Sequence, residues 1–94
     1  VEGVKTALRE GAMNNHVEVV RALLEDGRAD PAADESAALR FGAQCGSEAV
    51  SLLMEDKRSD PSALDNEALR SAAYHGHTEV VRILLRDPRV DPTA

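Results

Sequence analysis

Apolar residues return along this chain in the same short cadence. Val80, Val81, Leu84 and Leu85 stand at i, i+1, i+4 and i+5, the stripe of an amphipathic helix. Val20, Leu23 and Leu24 repeat it, as do Val50, Leu53 and Met54. Ahead of each stripe lies a second helical segment built on alanine, clearest as Ala68-Leu69-Arg70-Ser71-Ala72-Ala73-Tyr74-His75. Gly76 stops that segment, because glycine readily takes the left-handed conformation at a helix C-terminus. Asp65-Asn66-Glu67 offers it an N-cap with acids at the positive helix end. His77 or Thr78 opens the following helix, and Asp87-Pro88 closes it. The spacing thus predicts pairs of helices: 2–14 with 17–26, 35–45 with 47–56, and 68–75 with a helix opening at 77 or 78.

The pairs are copies of one unit. Asp30-Pro31, Asp60-Pro61 and Asp91-Pro92 fall 30 and 31 residues apart, and Leu8-Arg9, Leu39-Arg40 and Leu69-Arg70 fall 31 and 30 apart. A period in this range marks a solenoid whose units bury their apolar faces against their neighbours. The expected organisation is one array over residues 1–94, with units at 1–29, 30–59 and 60–90 and the start of a next unit at 91–94. Unit two is one residue shorter in its inter-helix turn, where Gly46-Ser47-Glu48 faces Gly76-His77-Thr78-Glu79. Ser47 is therefore expected to cap the second helix there. Gly11-Ala12, Gly42-Ala43 and Ala72-Ala73 keep a tiny residue at one register. Glycine inside a helix costs about 1 kcal/mol relative to alanine, so close approach of neighbouring first helices is expected at that point.

Composition narrows the core chemistry. Phe41 and Tyr74 are the aromatic residues, and Trp is absent, so Leu, Val and Ala must fill the interior. The net charge is −6, spread along the units with acids in excess in each. Such a surface is a poor footprint for nucleic acid or anionic lipid, and the apolar runs are too short for membrane insertion. The single Cys45 cannot form an internal disulfide and fits a reducing, intracellular and cytoplasmic setting.

The stretch Ala-Ala-x-x-Gly-His-x-Glu-Val-Val-x-x-Leu-Leu, Ala72 to Leu85, resembles the core of an ankyrin repeat. Unit one keeps it as Gly11-Ala12-Met13-Asn14-Asn15-His16-Val17-Glu18-Val19-Val20 with Leu23-Leu24. The resemblance covers essentially the whole chain. It departs in lacking the family's Gly-x-Thr-Pro-Leu-His opening, in carrying Asp-Pro after the second helix, and in a period of 30–31 against about 33. The connecting finger should be shorter than usual and no regular β-hairpin, since proline removes a donor. The resemblance implies an all-α, ankyrin-like solenoid of three stacked antiparallel helix pairs with short finger loops. It also implies protein binding on the concave face made by fingers and first helices.

Positions matching the family's contact sites are Met13, Asn14, Gln44, Cys45, Tyr74 and His75 at the ends of first helices. On the fingers they are Asp34, Glu35, Leu64 and Asp65. The units differ most from one another there, and Tyr74 has the chemistry of an interface anchor. Asp34, Glu35, Asp65 and Glu67 make the finger edge acidic and favour a basic protein partner. His16 and His77 hold the family's Gly-His position and are expected to bond backbone between units. His75 and His77, at i and i+2, do not share a helix face, and Cys45 has no cysteine partner at ligand spacing, so no metal site is expected. Neither a phosphate-binding glycine loop nor a nucleophile elbow is present; no cofactor and no catalytic residue are expected.

The recurring Arg9, Arg40 and Arg70, and Arg28, Arg58 and Arg89, stand near recurring aspartates. They suggest an inter-unit lattice of Arg–carboxylate pairs. Two functional readings come from different classes: a protein-interaction module, or a structural spacer in a larger repeat protein with no ligand of its own. Neither end carries the polar capping unit a free solenoid requires, so the end faces are expected to be covered by further repeats or another protein.

Overall fold

A computed structural model describes residues 2–90, with side chains from residue 3; the turn at Asp91-Pro92 and the next unit expected at 91–94 lie outside the described residues. Six helices follow in order: α1 (Glu2–Met13), α2 (Val17–Asp26), α3 (Ala33–Gln44), α4 (Ala49–Glu55), α5 (Ala63–Tyr74) and α6 (Thr78–Leu85). Within each unit the two helices pack on one another. Between units α1 lies against α3 and α3 against α5, while α2 lies against α4 and α4 against α6. Two layers of helices result, in a body 35 × 20 × 18 Å. No strand occurs among the described residues, so the fingers are turns and not hairpins.

The core is aliphatic and runs through all units. Leu8, Ala12, Val20, Leu39, Ala43, Val50, Leu53, Ala72 and Leu84 are fully or almost fully buried in it. Small residues do set the helix approach. A Cβ on Gly42 would meet Val50 of its own unit at 3.4 Å and Ala12 of the preceding unit at 3.5 Å. Both are ordinary contact distances, so a methyl group fits there, as Ala72 does in unit three, while a longer side chain would push apart both the pair and the stack.

Each finger is an aspartate-capped turn followed by a left-handed one. Asp30 accepts the Ala32 N–H through its carboxylate at 2.9 Å, and Asp60 accepts the Ser62 N–H at 2.9 Å. Pro31 and Pro61 are fully buried beneath these turns. The helices do not then begin with the N-caps the sequence suggests. Asp34, Glu35 and Ser36 all have φ between 53 and 58°, and Leu64, Asp65 and Asn66 between 53 and 60°. A left-handed residue other than glycine costs roughly 1–2 kcal/mol, so three in sequence need outside support.

Arginine supplies it. Arg40 donates from Nε to the Glu35 carbonyl and from Nη2 to the Asp34 carbonyl, both at 2.9 Å. Arg70 repeats the clamp on Asp65 and Leu64, at 2.9 and 3.0 Å. The planar guanidinium spans two adjacent carbonyls that the left-handed turn has aimed outward. In units two and three the Leu-Arg arginine is therefore a backbone clamp.

The second arginine column is likewise local. Arg28, Arg58 and Arg89 pair with Asp26, Asp56 and Asp87 two residues upstream, at 2.6, 2.9 and 2.8 Å. The inter-unit lattice expected from the sequence is thus replaced by clasps that close each second helix. Contacts between units draw on single members of the two columns and on Lys5. Arg40 reaches Glu67 at 2.7 Å, Lys5 reaches Asp34 at 3.2 Å, and Arg89 donates to the Ser59 carbonyl at 2.9 Å.

The turns between helices match the sequence closely. His16, Ser47 and His77 each donate their backbone N–H to the residue five back, at 2.9 Å. Ser47 Oγ accepts the Ala49 N–H at 3.0 Å, but the N-cap is Glu48, one residue later than expected, because the helix begins at Ala49. His77 does bond backbone between units, its Nε2 lying 3.1 Å from the Gln44 carbonyl oxygen. His16 is exposed instead, with no described residue standing to it as Gln44 stands to His77.

Candidate binding surface

The residues singled out from the sequence fall in two rows on the α1–α3–α5 layer. Met13-Asn14, Gln44-Cys45 and Tyr74-His75 stand at the C-terminal ends of its helices, and all six are exposed. Asp34, Glu35, Leu64 and Asp65 stand on the left-handed turns at the other end and are exposed as well. Eight right-handed residues separate Asn66 from His75, which puts the two rows roughly 12 Å apart along the helix.

The row of helix ends carries the larger side chains. Tyr74 is 86% exposed, the most open of the large apolar residues. Its ring meets His75 edge-on, with centroids 5.0 Å apart and planes at 90°. His75 in turn stacks on His77 at 6.0 Å. The histidines therefore brace one another along the turn, although they do not share a helix face. Arg70 and Ser71 join Tyr74 and His75 around a shallow open depression. The sequence marks Arg70 only as a member of the arginine column, and Ser71 not at all. Their positions four and three residues before Tyr74, one helical turn away, are the signal that could have found them.

The finger row is acidic but partly engaged. Asp34 is drawn to Lys5, and Glu67 is held by Arg40. Asp26, Asp56 and Asp87 lie away from both rows, at the ends of the second helices. The side-chain hydrogen bond from the neighbouring arginine holds each of their carboxyl groups below the usual carboxylate range, Asp87 at about 2.

Between the first two units, Lys5, Leu8, Arg9, Asp30 and Pro31 line a gap of about 10 Å³, room for no more than a water molecule. Among the described residues no three His, Cys, Asp or Glu side chains converge in the manner of a metal site. No helix among them is long and apolar enough to cross a membrane. The surface can offer an aromatic anchor, hydrogen-bonding amides and carboxylates to another molecule.

No curated protein and no solved structure matches this chain at a significant level. A family model described as ankyrin repeats (3 copies) matches residues 12–94, which takes in both rows from Ala12 onward and the helix-pair stack that carries them. Ankyrin repeats are generally protein-interaction modules, and with the fold and the family match in agreement, this chain belongs to the ankyrin-repeat family.

Proposed function

We propose that this array binds a protein partner through the concave face formed by its finger turns and the C-terminal ends of α1, α3 and α5. The supporting observation is a contrast between adjacent positions. Ala12 and Ala43 are completely buried, while their neighbours Met13 and Gln44 are exposed. In units one and two packing dictates the alanine, Ala73 of unit three being exposed, and the next position is left to vary as Met, Gln and Tyr. Variation beside a fixed framework, on the extended face by which solenoids bind, is what a recognition surface requires. Tyr74 is the anchor of this reading, since a large ring held in water by a neighbouring imidazole has little conformational entropy left to lose on binding. The carboxylates of Glu35 and Asp65 favour a basic segment. The reading is of a binding protein and not an enzyme, in line with the family's general use. An intracellular setting goes with it, where an exposed lone thiol such as Cys45 stays reduced.

Cys45 also provides the test. A photo-crosslinker attached to it reports on the proposed face. Cys45→Ser with Glu25→Cys moves the same label to the α2–α4–α6 layer. Partner crosslinks formed from position 45, absent from position 25, and lost in the Tyr74→Ala, Gln44→Ala double variant support the concave face. Equal labelling from both positions, or full retention in the double variant, argues for the spacer reading instead.

A further inference from the structure

The second helices leave two equivalent grooves between them on the α2–α4–α6 layer. The first lies between α2 and α4 and is lined by Arg21, Leu24, Glu25, Leu52, Glu55 and Asp56. The second lies between α4 and α6, where Met54 and Ile83 take the places of Leu24 and Leu52. Leu24, Leu52 and Ile83 are half-buried, so each floor is apolar and partly open to water. The rims differ. The position one residue before the clasped aspartate is Glu25, then Glu55, then Arg86. The second groove therefore sets a carboxylate and a guanidinium on its two sides, while the first sets a carboxylate on each.

Neither carboxylate of the first groove is answered within the chain. Arg21 is drawn to Glu18 at 3.3 Å, and Asp56 is held by Arg58 at 2.9 Å. Among the described residues the carboxylates of Glu25 and Glu55 enter no ion pair. Both side chains are exposed, so packing does not require two like charges here. The groove measures about 250 Å³, below the roughly 300–1,000 Å³ of small-molecule pockets. It suits one long side chain with an aliphatic stem and a cationic head. The stem would cover Leu24 and Leu52. A planar guanidinium serves two carboxylates at once, where an ammonium is a point charge that holds its water more tightly.

We propose that the α2–α4 groove takes an arginine side chain presented by a protein partner, with its guanidinium between Glu25 and Glu55. The second groove does not compete, because Arg86 repels the same head. The site is built inside the stack by the first two units, so it is present whatever adjoins the ends. The inference is independent of the concave-face reading, which uses the opposite layer. Glu25→Cys removes one of the two carboxylates, so crosslinks from that position report the layer without this groove.

Titration of the isotope-labelled 94-residue chain with the peptide acetyl-Ala-Arg-Ala-amide, followed by nuclear magnetic resonance, tests it. The amides of Leu24, Glu25, Leu52 and Glu55 should shift in a saturable way, and binding should weaken as sodium chloride is raised. Glu25→Gln and Glu55→Gln should each lower the affinity about two- to fivefold. Their melting temperatures should match the wild type, since both positions are exposed. Glu25→Arg, which copies the rim of the second groove, should abolish the shifts. The Tyr74→Ala, Gln44→Ala double variant should bind the peptide at this groove unchanged, and a peptide with lysine in place of arginine should bind more weakly. Four results overturn the proposal: no saturable shift in the groove, full binding by Glu25→Arg, equal binding of the lysine peptide, or the same shifts from magnesium chloride alone. The last would make it a simple ion site.

Discussion

Gly46 and Gly76 share a left-handed backbone, with φ of +68 and +74°, but only Gly46 has a side chain lying over it. That difference separates two costs. Gly76→Ala should lose about 1 kcal/mol, the strain of an alanine in that conformation. Gly46→Ala should lose a further 1–3 kcal/mol or so, because the methyl group collides with His77. Adding His77→Ala to Gly46→Ala should restore part of that loss. Urea denaturation of the three variants measures the differences; equal costs at both glycines would mean that the imidazole does not hold the units together. Asp87 gives a second residue-scale expectation. Its hydrogen bonds from Arg89 lower its pKa from the ordinary 3.8 to about 2. A carboxyl group lowered on folding stabilises the protein above its unfolded pKa, and that contribution drains away as pH falls through the folded value. The melting temperature should therefore drop between pH 4 and 2, and Asp87→Asn should flatten that part of the profile.

At the scale of an element, the finger turns invert the usual relation between helix and cap. The sequence displays Asp65-Asn66-Glu67, good capping residues, and the expectation of an ordinary N-cap follows from them. Three residues in a left-handed run defeat it. No local propensity favours that run, since aspartate and asparagine tolerate the conformation singly. Its support comes from an arginine five and six residues later, whose reach depends on the helix having formed. Arg40→Lys should thus be costly, although charge is kept, because an ammonium cannot bridge two carbonyls and Glu67 together. A loss of about 2 kcal/mol is expected, or roughly 8–16 °C in melting temperature. Arg58→Ala, which breaks an exposed pair within one unit, should cost no more than about 1 kcal/mol. Similar losses for the two would show that the fingers stand without the clamp.

For the whole molecule, the middle unit decides stability. Leu39 and Leu53 are fully buried between neighbours on both sides, while Leu69, at the end of the stack, is half-buried. Leu39→Ala, at about 2–5 kcal/mol, should broaden or abolish the cooperative transition seen by circular dichroism. Leu69→Ala should shift it by less and keep it sharp. An equal effect at both positions would argue against stacking as the source of the core.

The helix pairs, their period and the exposed variable positions follow from the sequence alone, because each depends on spacing within one unit: α2 runs from Val17 to Asp26 as its apolar stripe requires, and His16, Ser47 and His77 close the inter-helix turns at one register. The partners of the arginines did not follow. Arg28, Arg58 and Arg89 lie close in sequence to several aspartates, and composition cannot say whether a long side chain turns back along its own helix or across to the next. Only the packed stack settles that choice, since it alone fixes which carboxylate or carbonyl stands within 3 Å. The same holds for His16 and His77, which occupy one motif position. The structure seats one ring over a glycine and leaves the other in water, because burial between units is a property of neighbours and not of the repeat.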